Sequence, residues 1–336
     1  MPVQDLNVRS LMAMVLIMLM FAPLPGAQAQ GRMKLPPIEV ILQEPDDSID
    51  VGMACLSLAQ EFYPELNTGL MLSTLDGLTQ RFQHHFGYIV EPEEKIRALN
   101  TFLYRKGFWN DSLVFTYDHS DPGAHKRHNR FINGYLSRRK GSCVTMPVLY
   151  VILGERLGMP ISAVRAPNHF FVRYLPKEAP PTWEANIEAT SGGGYSSDRE
   201  YTMDMTIPKV GITKGMYLRT LTKKEYLASL LLLNVSEYVE LKNFDKAERY
   251  AALALRYDST LATAVWARGL VHYHRAKSLE QKADRGNHVA QINEHIRIWE
   301  ESKAKAKAMG MATSMSENNL KKQSRAPKSL KKEGGN

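Results

Sequence analysis

Between residues 131 and 218 the hydrophobic period of this chain changes, and that change constrains the fold more than any other feature. A strongly apolar helical run from about Cys143 to Leu157 is stopped by Gly158 and by Pro160 two residues on. Three strand-like runs follow: Ile161 to Arg165, His169 to Leu175 and Thr182 to Ala189. A Gly-rich turn, Ser191-Gly192-Gly193-Gly194, closes the set. One helix packed on an antiparallel sheet is the economical solution, an α+β core.

Cys143 lies where that helix begins, after the run Arg138-Arg139-Lys140-Gly141-Ser142. His169 heads the second strand run. A thiol at a helix N-terminus, a histidine on a following strand and an acid on the next form the constellation of a cysteine nucleophile. Helix-end N–H groups and neighbouring basic side chains both stabilise thiolate over thiol. Ser142 can act as the N-cap. Pro147 removes an early donor, leaves the Cys143 carbonyl without its usual partner and loosens the first turn. Alternation puts His169, Phe171 and Arg173 on one strand face. In the next run it groups Glu184, Asn186 and Glu188, any of which can orient the imidazole. The competing reading is a buried cysteine, a surface histidine and ordinary strand carboxylates.

Helical patterns flank this core. Residues 48–130 read as an N-terminal helical domain, with runs from Ile49 to Phe62, Leu70 to Phe86 and Pro92 to Lys106. Pro92 suits a first helical position. From 221 to 302, Leu231, Val235, Tyr238, Ala247, Ala251 and Ala254 fall where a tetratricopeptide repeat (TPR) places its helix contacts, and Asn243 to Ala247 has that repeat's turn. Val265, Gly269 and His272 restart the pattern one repeat later. So short an array is expected to pack against the core. The polar stretch from Asp118 to Arg130 holds His119, His125 and His128, but no carboxylate or cysteine at convincing ligand spacing, so it reads as a solvated loop rather than a metal site.

Both chain ends are compositionally distinct. Arg9, the apolar run from Leu11 to Phe21 and Ala27-Gln28-Ala29 make a secretory signal peptide over 1–29, cleaved near Ala29, with 30–47 as linker. The mature protein is then periplasmic or secreted; an uncleaved N-terminal anchor is the alternative. An exported chain with two cysteines, Cys55 and Cys143, is not a disulfide scaffold. Cys55 sits in an apolar helical run as a small hydrophobe, although a Cys55–Cys143 disulfide would silence the nucleophile. The net charge of +8 is concentrated beyond residue 302, where nine Lys or Arg face Glu317 and Glu333. The 303–336 segment is therefore a basic disordered tail capable of weak contact with anionic surfaces. The near-neutral remainder argues against nucleic-acid binding.

Three blocks carry a family resemblance: Gly134 to Cys143; Leu149-Tyr150 with Glu155 to Pro160; and Pro167-Asn168-His169-Phe170-Phe171-Val172-Arg173. With the lead-in Ala59-Gln60-Glu61-Phe62-Tyr63-Pro64, the chain from about 50 to 275 resembles the SirB-like branch of the transglutaminase-like superfamily, in which trailing tetratricopeptide repeats are common. The resemblance implies a papain-like core with Cys143 as nucleophile and His169 as base. The superfamily's Asp-Pro-Thr-like element falls on Glu188-Ala189-Thr190, making Glu188 the third member and Asn186 the second choice. Glu in place of Asp adds a methylene to that geometry. The implied activity is thiol-dependent hydrolysis or acyl transfer on a protein or peptide, without cofactor or metal. A non-catalytic scaffold that binds a partner through the repeat region is the alternative.

Overall fold

The computed structural model describes residues 33–312 apart from 178, 181, 182, 184 and 283. The segment expected to be a signal peptide and the tail beyond Ala312 lie outside the described residues, as does Glu184. Among the described residues no helix is long and apolar enough to cross a membrane.

The expected linker 30–47 is in part structured, with a short helix at Ile38–Ile41 and Leu35, Ile38, Ile41 and Leu42 buried in the main core; the longer N-terminal helices are α1 (Val51–Gln60), α2 (Thr68–Phe86) and α3 (Pro92–Tyr104). Each begins where its local chemistry directs. Asp50 accepts the Met53 N–H at 2.8 Å and Asn67 that of Leu70 at 2.9 Å; Pro92 opens α3. An oxygen side chain at the cap satisfies one of the orphan donors of the first turn.

The centre contains β1 (Thr116–Tyr117), α4 (Ile132–Arg138), β2 (Lys140–Gly141), α5 (Thr145–Arg156), β3 (Ile161–Ala166), β4 (His169–Tyr174) and β5 (Asn186–Ile187). β1 and β2 pair in parallel, and β3-β4-β5 form an antiparallel sheet in that order. Val172 and Tyr174 join the main core with Leu149 and Ile152 of α5. Phe171 faces the other way, with Val164 and with Tyr201 of α6 (Asp198–Asp204). The third strand is shorter than the run from Thr182 to Ala189 suggests. Among the described residues only Asn186 and Ile187 pair fully with β4, and Glu188 already turns to bond Gly194 at 2.7 Å. The prolines at 180 and 181, which cannot donate to a ladder, precede this short strand.

After a short helix at Lys209–Thr213 come four longer ones: α7 (Lys223–Glu240), α8 (Phe244–Tyr257), α9 (Ala262–Glu280) and α10 (Val289–Ala308). Thr222 and Glu225 form a reciprocal capping box on α7, and Asn243 caps α8. α10 packs along α9 with Gly269 at the crossing, where a Cβ would come within 2.4 Å of the Ser302 Cβ. α10 also runs past residue 303, where composition places the start of the tail, and buries Ala306 against the second core. These helices are built onto the centre. The Asn234 amide donates to the Leu58 carbonyl at 3.2 Å, and buried Arg165 of β3 pairs with buried Asp258, just past α8, at 2.8 Å.

Candidate active site

Cys143 occupies a tight elbow between β2 and α5. Ser142 Oγ accepts from the N–H groups of Val144 (3.1 Å) and Thr145 (3.3 Å), while the Ser142 N–H donates to Thr145 Oγ1 at 3.0 Å. The serine thus caps the turn as its position predicts, although the first helical residue is Thr145 rather than Cys143. Around Pro147 the ladder runs Met146 N–H to Ser142 and Val148 N–H to Val144, straddling the Cys143 carbonyl. The Cys143 N–H donates to no described residue. Ser142 is also anchored from behind, because its hydroxyl donates to the Asn129 carbonyl at 2.8 Å.

The histidine arrives by a two-residue hairpin, since β3 ends at Ala166 and β4 starts at His169. Pro167-Asn168 suits such a turn, with Asn168 at φ 52° in the left-handed region that asparagine tolerates. The turn brings its carbonyl to the sulfur: Cys143 Sγ donates to Asn168 O at 3.7 Å. His169 is 4% exposed and Cys143 8%. His169 Nε2 meets Glu188 Oε2 at 2.6 Å. Its Nδ1 is buried and has no hydrogen-bond partner among the described residues. Glu188 is fully engaged. Tyr201 donates to Oε2 at 2.7 Å, and the Thr190 hydroxyl and N–H donate to Oε1 at 2.6 and 2.9 Å. The ring of Tyr201 stacks on Phe171 with centroids 4.0 Å apart.

Electrostatics follow from this packing. Burial alone would pull His169 down, but the Glu188 charge and the Cys143 side chain outweigh it and raise its pKa from 6.5 to about 10. Burial pushes Glu188 up, and the His169 charge with the bonds from His169 and Thr190 overcomes this, leaving it near about 2. At neutral pH the pair is imidazolium and carboxylate. Burial and then the Glu188 charge raise the Tyr201 phenol, which keeps its proton and remains a donor.

Several sequence expectations need revision. Asn186, the second choice beside Glu188, is committed elsewhere: it accepts from Arg173 Nε at 2.8 Å and donates to Asp198 at 2.7 Å. The basic run does not serve the sulfur. Arg138 pairs with Asp118 at 3.0 Å, and Arg139 donates to the Leu113 carbonyl and lies over the Phe115 ring. The stretch from Asp118 to Arg130 is only in part a solvated loop, with His119 and His125 exposed. Asp118, Asp121 and Asn129 are buried, and Asn129 donates to both aspartates at 3.1 and 2.8 Å. Arg127 and Arg130 tie the stretch to buried Glu237 of α7. Among the described residues no group of three or more His, Cys, Asp or Glu is placed to hold a metal ion. Both cysteines are free, and burial pushes the Cys55 thiol up, as befits a core hydrophobe. Sequence reasoning missed Tyr201 and Asn129. Tyr201 lies on a short helix outside the strand pattern, and Asn129 sits in a segment whose polarity suggests solvent.

Cys143 and His169 open onto a groove of about 1350 Å³ that continues along α7 and α9. Residues 70–230 match the family described as Transglutaminase-like superfamily. Two curated relatives, both called UPF0162 protein and both from Xylella fastidiosa, are 24% identical to this chain. The protein of strain Temecula1 aligns over 70% of this chain and 82% of its own length, and that of strain 9a5c over 68% and 78%. No solved structure matches. The chain therefore carries, over residues 70–230, a domain of the transglutaminase-like superfamily, which includes cysteine-dependent enzymes.

Proposed function

We propose that this chain is an exported, thiol-dependent amide or peptide hydrolase of the SirB-like type, with Cys143 as nucleophile, His169 as general acid and base, and Glu188 as the group that orients His169. The observation that carries the reading is that Cys143 and His169, both buried, line one groove, with His169 bonded to Glu188 through Nε2. The Cys143 thiolate, formed when the thiol proton passes to His169, attacks an amide carbonyl carbon, and the negative charge moves onto the carbonyl oxygen. The Cys143 N–H, which donates to no described residue, would receive that charge. His169 passes its proton to the departing nitrogen as the C–N bond breaks, leaving a thioester and an amine. Water then gives a proton to His169 and attacks the thioester, releasing acid and restoring the sulfur. Water is favoured over a second amine because the sequence shows no amine-acceptor site. Export rests on the leader-like segment ending near Ala29. The basic tail supplies at most weak contact with anionic surfaces.

A second reading has a specific observation behind it: a large part of the groove lining comes from α7 and α9, helices with TPR-like spacing. In that reading the protein binds a polypeptide without cleaving it. A peptide vinyl sulfone probe separates the two. The hydrolase reading predicts covalent labelling at Cys143, mapped by mass spectrometry, lost in Cys143→Ala and strongly reduced in His169→Ala. Wild-type protein that stays unlabelled would leave the scaffold reading.

A further inference from the structure

The groove at Cys143 is large for a small-molecule site, since such pockets usually hold about 300–1,000 Å³ and this one holds about 1350 Å³. α7 and α9 supply a large part of its lining. Leu232 and Val239 of α7 and Trp266 and Leu270 of α9 give its middle an apolar lining. The end farther along these helices is cationic. Lys242 and Lys277 line it, and Lys277 is offset by Glu280 at 2.8 Å. Glu240, the acidic residue that lines the same groove, is held by Arg130 at 2.8 Å. Among the described residues Lys242 has no anionic partner. Arg165, which also lines the groove, is neutralised by Asp258.

We propose that the occupant of this groove is an extended polypeptide segment with apolar side chains along α7 and α9 and a carboxylate at the Lys242 end, whose other end presents its amide to Cys143. The proposal rests on the hydrolase reading for the last clause and adds the substrate class. Apolar burial supplies affinity and the lone ammonium supplies orientation, because an unpaired charge at a groove end selects the opposite sign and rejects its own. The chain's own segment beyond Ala312 begins beside the groove, at Met311 and Ala312. With six Lys or Arg against Glu317 and Glu333, it has the wrong charge for this occupant.

The test is fluorescence anisotropy on the full mature chain carrying Cys143→Ala, so that binding is read without turnover. The probe is a fluorescein-labelled decapeptide rich in leucine and phenylalanine with aspartates at one end, compared with the same peptide carrying lysines there. The aspartate peptide is expected to bind about tenfold tighter. Lys242→Glu should abolish or reverse that preference, while Lys106→Glu, an exposed charge outside the groove lining, should leave it unchanged. Equal binding of both peptides, a preference that survives Lys242→Glu, or no binding of either at about 1 mM overturns the proposal; the last result is also what a groove filled by the chain's own tail would give. Labelling of Cys143 without peptide preference sinks the groove assignment alone. Peptide preference without labelling sinks the hydrolase reading alone.

Discussion

Glu188 shows how a longer side chain can stand where the superfamily resemblance leads one to look for aspartate. The extra methylene is accommodated because Thr190 and Tyr201 pin the two carboxylate oxygens, leaving Oε2 aimed at His169. The pH behaviour of this contact has a definite sign. His169 has a folded pKa raised to about 10 from 6.5, so its contribution is complete below 6.5 and fades as pH rises through about 10. Glu188 is lowered to about 2 from 4.5, so its contribution is complete above 4.5 and fades as pH falls through about 2. Glu188→Gln should therefore cost most between those limits, about 3–5 kcal/mol as for other broken buried pairs. The stability gap to wild type, measured by denaturant unfolding, should narrow toward pH 10; a gap that stays constant from pH 5 to 10 contradicts the pairing. At this scale chemistry and spacing pointed to Cys143 and His169, whereas spacing left Glu184, Asn186 and Glu188 open and only the family resemblance favoured Glu188. The sequence was silent on Tyr201, whose contact with Glu188 depends on how a helix 13 residues downstream folds back.

Elements position these residues, and their boundaries follow local rules that can be read from sequence. Gly158, Pro92, Asn243 and the Pro167-Asn168 turn each sit at an element edge for a stated steric or hydrogen-bonding reason. The elements that escaped were those defined by partners distant in sequence. The stretch from Asp118 to Arg130 is largely polar, yet Asp118, Asp121 and Asn129 are buried in it, with Arg138 neutralising Asp118, and Glu237 pairs with its Arg127 and Arg130. α4 must approach that stretch closely. A Cβ at Gly134 would stand 2.0 Å from the His128 carbonyl oxygen, a backbone atom that cannot swing aside. Gly134→Ala should destabilise by about 1–3 kcal/mol, whereas Gly77→Ala on α2, where a Cβ meets nothing within 4 Å, should be neutral or slightly stabilising. Thermal melts of the two variants decide this, and equal melting temperatures would contradict the close approach.

Across the whole molecule the helices that follow the sheet are part of the same structure as the site. The main core takes Leu56 of α1, Leu149 of α5, Val172 of β4 and Leu231 of α7 together. Arg165, four residues before His169, reaches buried Asp258, Ser229 and the Met216 carbonyl. Asp258→Ala leaves that guanidinium buried without its counter-charge and should cost about 3–5 kcal/mol, with the Arg165→Met/Asp258→Leu double variant recovering most of the loss. Unfolding should remain a single transition by near- and far-UV circular dichroism; separate melting of α7–α10 with the sheet intact would show that the contact does not couple them. The central claim is narrower: His169 keeps a proton at neutral pH because Glu188 and Cys143 both favour it. Its most direct test is an NMR titration of the His169 ring carbons in the intact protein. The account predicts imidazolium shifts at pH 8, a midpoint near about 10, and a lower midpoint in both Glu188→Gln and Cys143→Ala. A midpoint near 6.5 that neither substitution moves would contradict it.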